Sequence, residues 1–228
     1  MSYFQEKVVV VIGVTGALCS LSARSLRAVG ADVGLIVRTP QCLALDLTDL
    51  LLAVASIADR SALEMAFRDV TSNVAVDGIL SCAGVVAFGA FPDLSDAVAH
   101  ELFCTNAVGT INSIALASVG INPDGFLASF TGVAGDMTIA GMGAYCASKA
   151  AAKSAIAVAA RELRNKKVRI VDIRVTHTET GLVNRSLEGV APKMPVGLEP
   201  QRVVDRVLAA IVSGEKDLPS EAFGRLSE

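Results

Sequence analysis

Hydrophobic positions fall into short continuous runs that alternate with segments of helical periodicity. The first run, at 7–14, reads Lys-Val-Val-Val-Val-Ile-Gly-Val. A continuous β-branched run of this kind is typical of a strand buried on both faces of a parallel sheet. A helical pattern at about 20–29 follows, Gly30 caps it, and a second apolar run at 31–37 ends beside Arg38. These segments predict a βαβ unit.

The same alternation continues along the rest of the chain. Further strands are predicted at 51–55, 76–82, 125–130 and 168–175, and helices near 60–70, 94–118, 144–165 and from about Pro200. This order predicts an α/β fold with one doubly wound parallel sheet and helices on both faces, in a single domain over 1–228. Because ligands of such sheets bind outside the carboxyl ends of the strands, we expect the site in the segments that follow the strands.

One segment before the last helix lacks clear periodicity. Residues 181–199 combine Gly, Pro and Asn with mixed charges, which predicts an irregular, mobile loop. We expect this loop to be the substrate lid.

Composition narrows the class of protein. Of the 228 residues, 52% are apolar but only 4% are aromatic, a profile of small aliphatic side chains that pack in helix-on-sheet layers. No membrane span is expected, because charge, Gly or Asn interrupts each apolar run before the roughly 18 residues that a span needs. The N-terminus shows no secretory signal, so a cytoplasmic protein is expected. A net charge of −3 offers no basic surface for nucleic acid.

Cysteine and histidine positions give no sign of a metal site. The cysteines are odd in number and lack any C-x-x-C spacing, which favours reduced, buried thiols over disulfides or zinc. His100 and His177 lie far apart, without the spacing typical of metal ligands. The cysteines are Cys19, Cys42, Cys82, Cys104 and Cys146.

The most informative chemical pattern is Tyr145-Cys146-Ala147-Ser148-Lys149. Tyr-x-x-x-Lys on a helix places a phenol and an ammonium one turn apart on the same face. Such a pair can protonate a carbonyl oxygen.

Further motifs place this pair in a family context. Thr15-Gly16, Ser81-Cys82-Ala83-Gly84, Asn106 and Tyr145-x-x-x-Lys149 occur in one order along the chain, and 177–182 follows the sixth predicted strand. In this arrangement the chain resembles the short-chain dehydrogenases/reductases over roughly 7–212. The resemblance implies a Rossmann-like domain, a nicotinamide cofactor and a small-molecule substrate. It also implies a homodimer or homotetramer assembled through the helices at 94–118 and 144–165.

The resemblance places the cofactor pyrophosphate at a loop of the pattern Thr-Gly-x-x-x-Gly-x-Gly. Thr15-Gly16 matches its start, but Ser20 and Ser22 stand at the later glycines, with Leu21 between them. Alternatively, the loop and its helix are about three residues short, because Gly30 arrives early. Serine hydroxyls could bond phosphate, although their Cβ atoms crowd its approach.

Arg38 resembles the residue that pairs with the ribose 2′-phosphate in NADP-preferring relatives, and no acid favours NAD at this position. The implied cofactor is therefore NADP, unless the altered loop has lost nucleotide binding altogether. The remaining positions that match cofactor contacts are Ser56, Ile57, Cys82, Ala83, Gly84, Tyr145, Lys149, Thr178 and Thr180.

Tyr145, Lys149 and Asn106 match the catalytic residues of the family. Lys149 is expected to depress the pKa of the Tyr145 phenol, so that Tyr145 donates a proton as hydride reaches the carbonyl carbon. Asn106 is expected to hold a helix bend and a proton-relay water. Gly132 stands where relatives carry a serine, and Thr131 could replace that hydroxyl only if the chain already turns there. Loss of such a donor typically costs about a hundredfold to a thousandfold in rate.

These features support three functions. The favoured one is NADP(H)-dependent reduction of a small or medium organic carbonyl, or the reverse oxidation of an alcohol. The altered loop and Gly132 instead favour a non-redox isomerase, dehydratase or cyclase that uses Tyr145 and Lys149 for proton transfer. A non-catalytic subunit that contributes helices to an oligomer is the third.

Overall fold

A computed structural model describes residues 3–14 and 16–224 of the chain. Its centre is a seven-stranded sheet in the order β3-β2-β1-β4-β5-β6-β7, and all neighbouring strands pair in parallel. The chain builds outward in one direction from β1 to β3 and in the other from β4 to β7, so the topological switch point lies between β1 and β4. The strands are β1 (Val8–Ile12), β2 (Asp32–Val37), β3 (Leu51–Val54), β4 (Val76–Ser81), β5 (Ile121–Phe130), β6 (Arg169–Ile173) and β7 (Asp217–Leu218).

The described part of the chain forms six α-helices around this sheet. They are α1 (Ala17–Ala28), α2 (Arg60–Thr71), α3 (Asp96–Leu102), α4 (Gly109–Gly120), α5 (Gly143–Glu162) and α6 (Pro200–Ser213). Helices α1 and α6 share one hydrophobic core with the sheet, and α2, α4 and α5 share the other. The predicted doubly wound α/β sheet is confirmed.

Local sequence signals explain where two helices start. Asp59 caps α2 by accepting a hydrogen bond from the Ala62 amide, and Glu199 caps α6 by accepting from the two amides that follow Pro200. Proline fits the first helical position because its missing N–H would have no partner there. The prediction of a helix from Pro200 is correct.

Two elements differ from the sequence prediction. The expected helix at 94–118 is divided into α3 and α4 by a π-helical segment, Phe103–Val108. A widened turn of this kind leaves no mark in the apolar periodicity, and such segments often occur at functional sites. Strand β7 has two residues, too few to show a pattern.

One helical stretch, Asp96–Gly120, is long and apolar enough to cross a membrane by length and composition alone. Of its most apolar window, 56% is buried inside the fold. More than half of this window therefore contributes to the interior of the fold.

The expectation that all the cysteines are reduced is wrong for one pair. Cys19, in the first turn of α1, forms a disulfide with Cys82, directly after β4, although 63 residues separate them. The absence of C-x-x-C spacing misled because β1 and β4 are neighbouring strands, so the segments that follow them meet in space. Cys104 and Cys146 are free thiols.

Candidate active site

A cavity of about 670 Å³ lies at the carboxyl ends of the strands. Its wall is formed by the segments that follow β1, β2, β3, β4, β5 and β6, together with residues of α5 and of 180–194. This is the location expected for a ligand of a doubly wound sheet.

A tight turn connects β1 to α1 at the floor of the cavity. Gly13 has a φ of +95°, and a Cβ there would lie 2.8 Å from the Ala83 backbone nitrogen, so this position requires glycine. Gly16 is the N-cap of α1 and carries no side chain that could occupy the helix terminus. Gly16, Ala17 and Leu18 line the cavity, and an open helix N-terminus is suited to bind phosphate.

The structure favours the shorter reading of the glycine loop. Helix α1 begins at Ala17, and Gly13 makes the close turn that follows β1. Ser20 and Leu21 are not among the residues that line the cavity, because the helix has already turned them away, and the Ser20 hydroxyl donates to the Val14 carbonyl. Thr15 lies outside the described residues. The early arrival of Gly30 was the sequence signal for this register.

The segments that follow β2 and β3 form one end of the cavity. Arg38, Ser56 and Ile57 line it, as expected from their places after these strands. Arg38 Nη1 lies 2.9 Å from Glu101 Oε1, so its guanidinium is already paired with a carboxylate from α3.

The opposite end of the cavity holds Tyr145 and Lys149, one turn apart on α5. The Lys149 side chain is 7% exposed, and its Nζ donates to the Phe130 carbonyl at 3.1 Å. Gly84 closes this group from the β4 side: a Cβ there would lie 3.3 Å from Lys149 Nζ and 3.4 Å from Asn106 Oδ1. Any larger residue would crowd both side chains.

Asn106 lies in the π-helical segment and does not itself line the cavity. Its Nδ2 donates to the Val85 carbonyl and to Ser148 Oγ, each at 2.9 Å, and its Oδ1 accepts from the Val85 amide at 3.0 Å. Asn106 therefore joins the segment after β4 to α5. Ser148, between Tyr145 and Lys149, is a supporting residue that the sequence motifs did not single out.

Burial dominates the electrostatics of the pair. Burial raises the pKa of the Tyr145 phenol to about 12, with a smaller contribution from Cys146. Burial lowers the pKa of Lys149 to about 8, partly opposed by the negative charge of Asp172. The expected depression of the phenol pKa by Lys149 is thus not found, because burial disfavours the charged phenolate and raises the pKa instead. Tyr145 is protonated at neutral pH, the form that donates a proton.

Gly132, which the sequence predicts at the place of a family serine, brings no hydroxyl to the cavity beside Tyr145. Gly132 lines the cavity with a φ of +76°, and a Cβ there would meet only the Val175 carbonyl oxygen, at 4.0 Å. Thr131 is buried and donates its hydroxyl to Asp172. Adjacent strand residues point to opposite sides, so Thr131 does not serve the cavity and its assignment to the catalytic group is wrong.

The wall beyond Tyr145 is mainly apolar. Its aliphatic and aromatic residues are Val86, Phe88, Ile139, Met142, Leu182, Val183, Leu187 and Met194. Thr178 and Thr180 also line the cavity, as does Thr176, whose buried hydroxyl has no hydrogen-bond partner among the described residues. A buried polar atom of this kind calls for a ligand or water to complete its bonding.

Comparisons with known proteins agree with this architecture. The family model described as short chain dehydrogenase matches residues 7–190. The chain is similar to a short chain dehydrogenase from Burkholderia cenocepacia J2315 in complex with NADP, at a TM-score of 0.80 and 22% identity, over 96% of this chain and 90% of that one. It is similar to BdcA in complex with NADPH, at a TM-score of 0.83 and 22% identity, over 100% and 98% of the two chains.

A short chain dehydrogenase/reductase from Burkholderia phymatum in complex with NAD is also similar, at a TM-score of 0.84 and 18% identity, over 97% of this chain and 91% of that one. No match was found among the curated proteins. At these identities the structural likeness establishes the fold, and the neighbours include complexes with both nicotinamide nucleotides.

Proposed function

Because the chain belongs to the short-chain dehydrogenase family, we propose that it reduces a small or medium organic carbonyl with NADP(H), or oxidises the corresponding alcohol. The observation that carries this proposal is the presence of two sites in one cavity. A helix N-terminus capped by Gly16 lies at its floor, and the Tyr145 and Lys149 pair lies at one end. A dinucleotide needs the first and a carbonyl oxygen needs the second.

The residues around the cavity fit a nicotinamide dinucleotide. Gly13, Gly16 and the first turn of α1 would hold the pyrophosphate, since amide N–H groups and the helix dipole favour anions there. Arg38 would hold a 2′-phosphate. The adenosine would lie against Ser56 and Ile57, the segment 82–84 would contact the sugar side, and Thr178 and Thr180 would contact the nicotinamide side.

The bound nucleotide would supply the hydride, and the chain would supply the proton. Tyr145 donates its phenolic proton to the substrate oxygen while negative charge develops there. The charged form of Lys149 stabilises the phenolate that remains, and this form prevails below a pH of about 8. Asn106 bonds Val85 and Ser148, and so holds the segment after β4 against α5, the helix that carries Tyr145.

The substrate would occupy the apolar end of the cavity. Leu182, Leu187 and Met194, from 181–199, cover this end, so we propose that this segment is the substrate lid. Apolar lining of this extent favours a hydrocarbon-rich carbonyl compound over a sugar or an amino acid.

Exposed apolar residues on α4, on α5 and at the end of the π-helical segment favour assembly into a homodimer or homotetramer. Val108, Ile111 and Val158 are 40%, 50% and 49% exposed, and pairing of these helices between copies would cover them.

A proton-transfer enzyme without a nucleotide is the second candidate. Gly132 favours it, because carbonyl reduction loses a donor there that an isomerase or dehydratase does not need. Nucleotide binding distinguishes the two functions: the reductase needs NADP(H), and the proton-transfer enzyme does not.

Calorimetric titration with NADPH and NADH, in the unmodified protein and in Arg38→Asp, tests the proposal. We expect NADPH to bind, and Arg38→Asp to weaken NADPH binding by about tenfold or more while NADH binding changes little. Absence of binding by either nucleotide, together with substrate turnover in its absence, would favour the second candidate.

A further inference from the structure

The proposed partner of the 2′-phosphate, Arg38, is held by a carboxylate from another element. Arg38 Nη1 and Glu101 Oε1 lie 2.9 Å apart, and the Thr105 hydroxyl donates to the same Oε1 at 3.0 Å. Arg38 follows β2 whereas Glu101 belongs to α3, so the pair joins two sides of the cavity. Thr105 is buried and lines the cavity beside Arg38, which fixes Glu101 at this end.

A 2′-phosphate at Arg38 would meet this carboxylate. The phosphate carries up to two negative charges near neutral pH and bonds a guanidinium through two donors at once. Glu101 occupies one of those donors and repels the phosphate. Because the side chains of Arg38 and Glu101 are 58% and 39% exposed, their ion pair is weak enough for a phosphate to displace.

A nucleotide without the 2′-phosphate would meet a different chemistry. Glu101 Oε2 accepts no hydrogen bond within the described part of the chain, so it is free to accept one from a ribose hydroxyl. In NAD-binding sheets an acid usually fills this role from the end of the second strand. Here α3 supplies an acid at the same end of the cavity.

We propose that Glu101 sets the nucleotide preference of this cavity: it competes with the 2′-phosphate for Arg38 and accepts a ribose hydroxyl when the phosphate is absent. This inference rests on the proposed nucleotide site. Arg38 alone would make the cavity bind NADP much more tightly than NAD. The pairing of Arg38 with Glu101 reduces this difference in affinity.

The test uses Glu101→Gln, which keeps the shape of the side chain and removes its charge. The matched control is Glu64→Gln, which removes a carboxylate that pairs at 3.0 Å with Arg60 on α2, an arginine that, unlike Arg38, does not line the cavity. The probes are adenosine 2′,5′-bisphosphate and adenosine 5′-monophosphate, which differ only in the 2′-phosphate, with NADPH and NADH titrated in parallel by calorimetry.

We expect Glu101→Gln to tighten binding of the bisphosphate and NADPH by about twofold to tenfold. Binding of the monophosphate and NADH should stay constant or weaken. Glu64→Gln should match the unmodified protein, and added salt should shrink the difference. An unchanged ratio of bisphosphate to monophosphate affinity in Glu101→Gln would overturn the inference.

The two proposals fail in different ways. If Glu101→Gln shifts the affinity ratio but no carbonyl compound is reduced with NADPH, the reductase function fails and the role of Glu101 stands. If NADPH supports turnover but the ratio does not move, the inference fails alone. If the bisphosphate binds to neither protein, the inference fails with the nucleotide site.

Discussion

Replacing Lys149 with Met should leave the protein at least as stable at neutral pH, although it removes the ammonium beside Tyr145. Burial lowers the Lys149 pKa from 10.5 to about 8. At ~1.4 kcal/mol per pKa unit, this difference corresponds to a cost of about 3 kcal/mol for the charged form in the folded protein. The substitution also leaves the Phe130 carbonyl without its Nζ donor, which costs about 1–3 kcal/mol. The expected net change at pH 7 is a gain of about 0–2 kcal/mol in the free energy of unfolding.

The lowered pKa of Lys149 also determines how the stability of the protein changes with pH. Between a pH of about 8 and 10.5 the unfolded chain still holds the Lys149 proton that the folded protein has released. The unmodified protein should therefore gain stability as pH rises through this window, and Lys149→Met should not. Tyr145 acts in the opposite direction: its folded pKa is raised from 10.0 to about 12, so stability falls above the unfolded value in both proteins.

Urea unfolding at pH 7, 8, 9 and 10 measures both effects. Lys153→Met is the control, because Lys153 lies on the same helix but is 36% exposed and pairs with Asp136. This variant keeps Lys149, so its stability should rise between about pH 8 and 10 as it does in the unmodified protein. A loss of more than about 1 kcal/mol in Lys149→Met at pH 7, with a pH profile parallel to that of the unmodified protein, would refute the reasoning.

The remaining predictions concern Gly132 and the disulfide. Gly132→Ser places a side chain at a φ of +76°, so the free energy of unfolding should fall by about 1–3 kcal/mol. Gly132→Ala should lower it by the same amount. Turnover should nonetheless be higher in the serine variant than in the alanine variant, because only serine adds a donor to the developing oxyanion; equal rates would contradict the assignment. The Cys19 and Cys82 bond closes a loop of 63 residues, which corresponds to about 4 kcal/mol by chain entropy. A dithiol reductant should lower the thermal midpoint of the unmodified protein but not that of Cys19→Ser, and an equal drop in both would contradict the bond.

Most of the fold could be predicted from the sequence, because buried parallel strands are continuous apolar runs. The run at 7–14 gave β1, and Pro200 marked the start of α6. Strand β7 and the π-helical segment at Phe103–Val108 could not be predicted. The first is too short for a pattern, and the second changes hydrogen bonding without changing apolar spacing.

The residue types of the candidate site could be predicted from the sequence, but the position of the glycine loop along the chain could not. Thr15-Gly16 suggested the start of the glycine loop, yet Gly13 makes the close turn against Ala83. Ser20 and Leu21 do not line the cavity, because α1 has already begun at Ala17. A sequence motif compares residue types only, whereas the position of the turn between β1 and α1 depends on where β1 ends.

Two further differences arise from contacts between distant segments. The Thr131 hydroxyl donates a hydrogen bond to Asp172, on the neighbouring strand β6. Cys19 forms a disulfide with Cys82 at the carboxyl ends of the central strands. The pKa of Tyr145 depends on how deeply the cavity removes it from water. None of these contacts has a local sequence signal.

The measurement that tests the proposed reductase most directly is NADPH-dependent reduction of a panel of apolar carbonyl compounds by the unmodified protein and by Tyr145→Phe. Phenylalanine keeps the packing of the ring and removes only the proton that the phenol would donate. We expect hydride transfer from NADPH in the unmodified protein, and a loss of at least about a hundredfold in Tyr145→Phe with an unchanged thermal midpoint. Equal turnover by both proteins, or turnover that needs no nucleotide, would contradict the account.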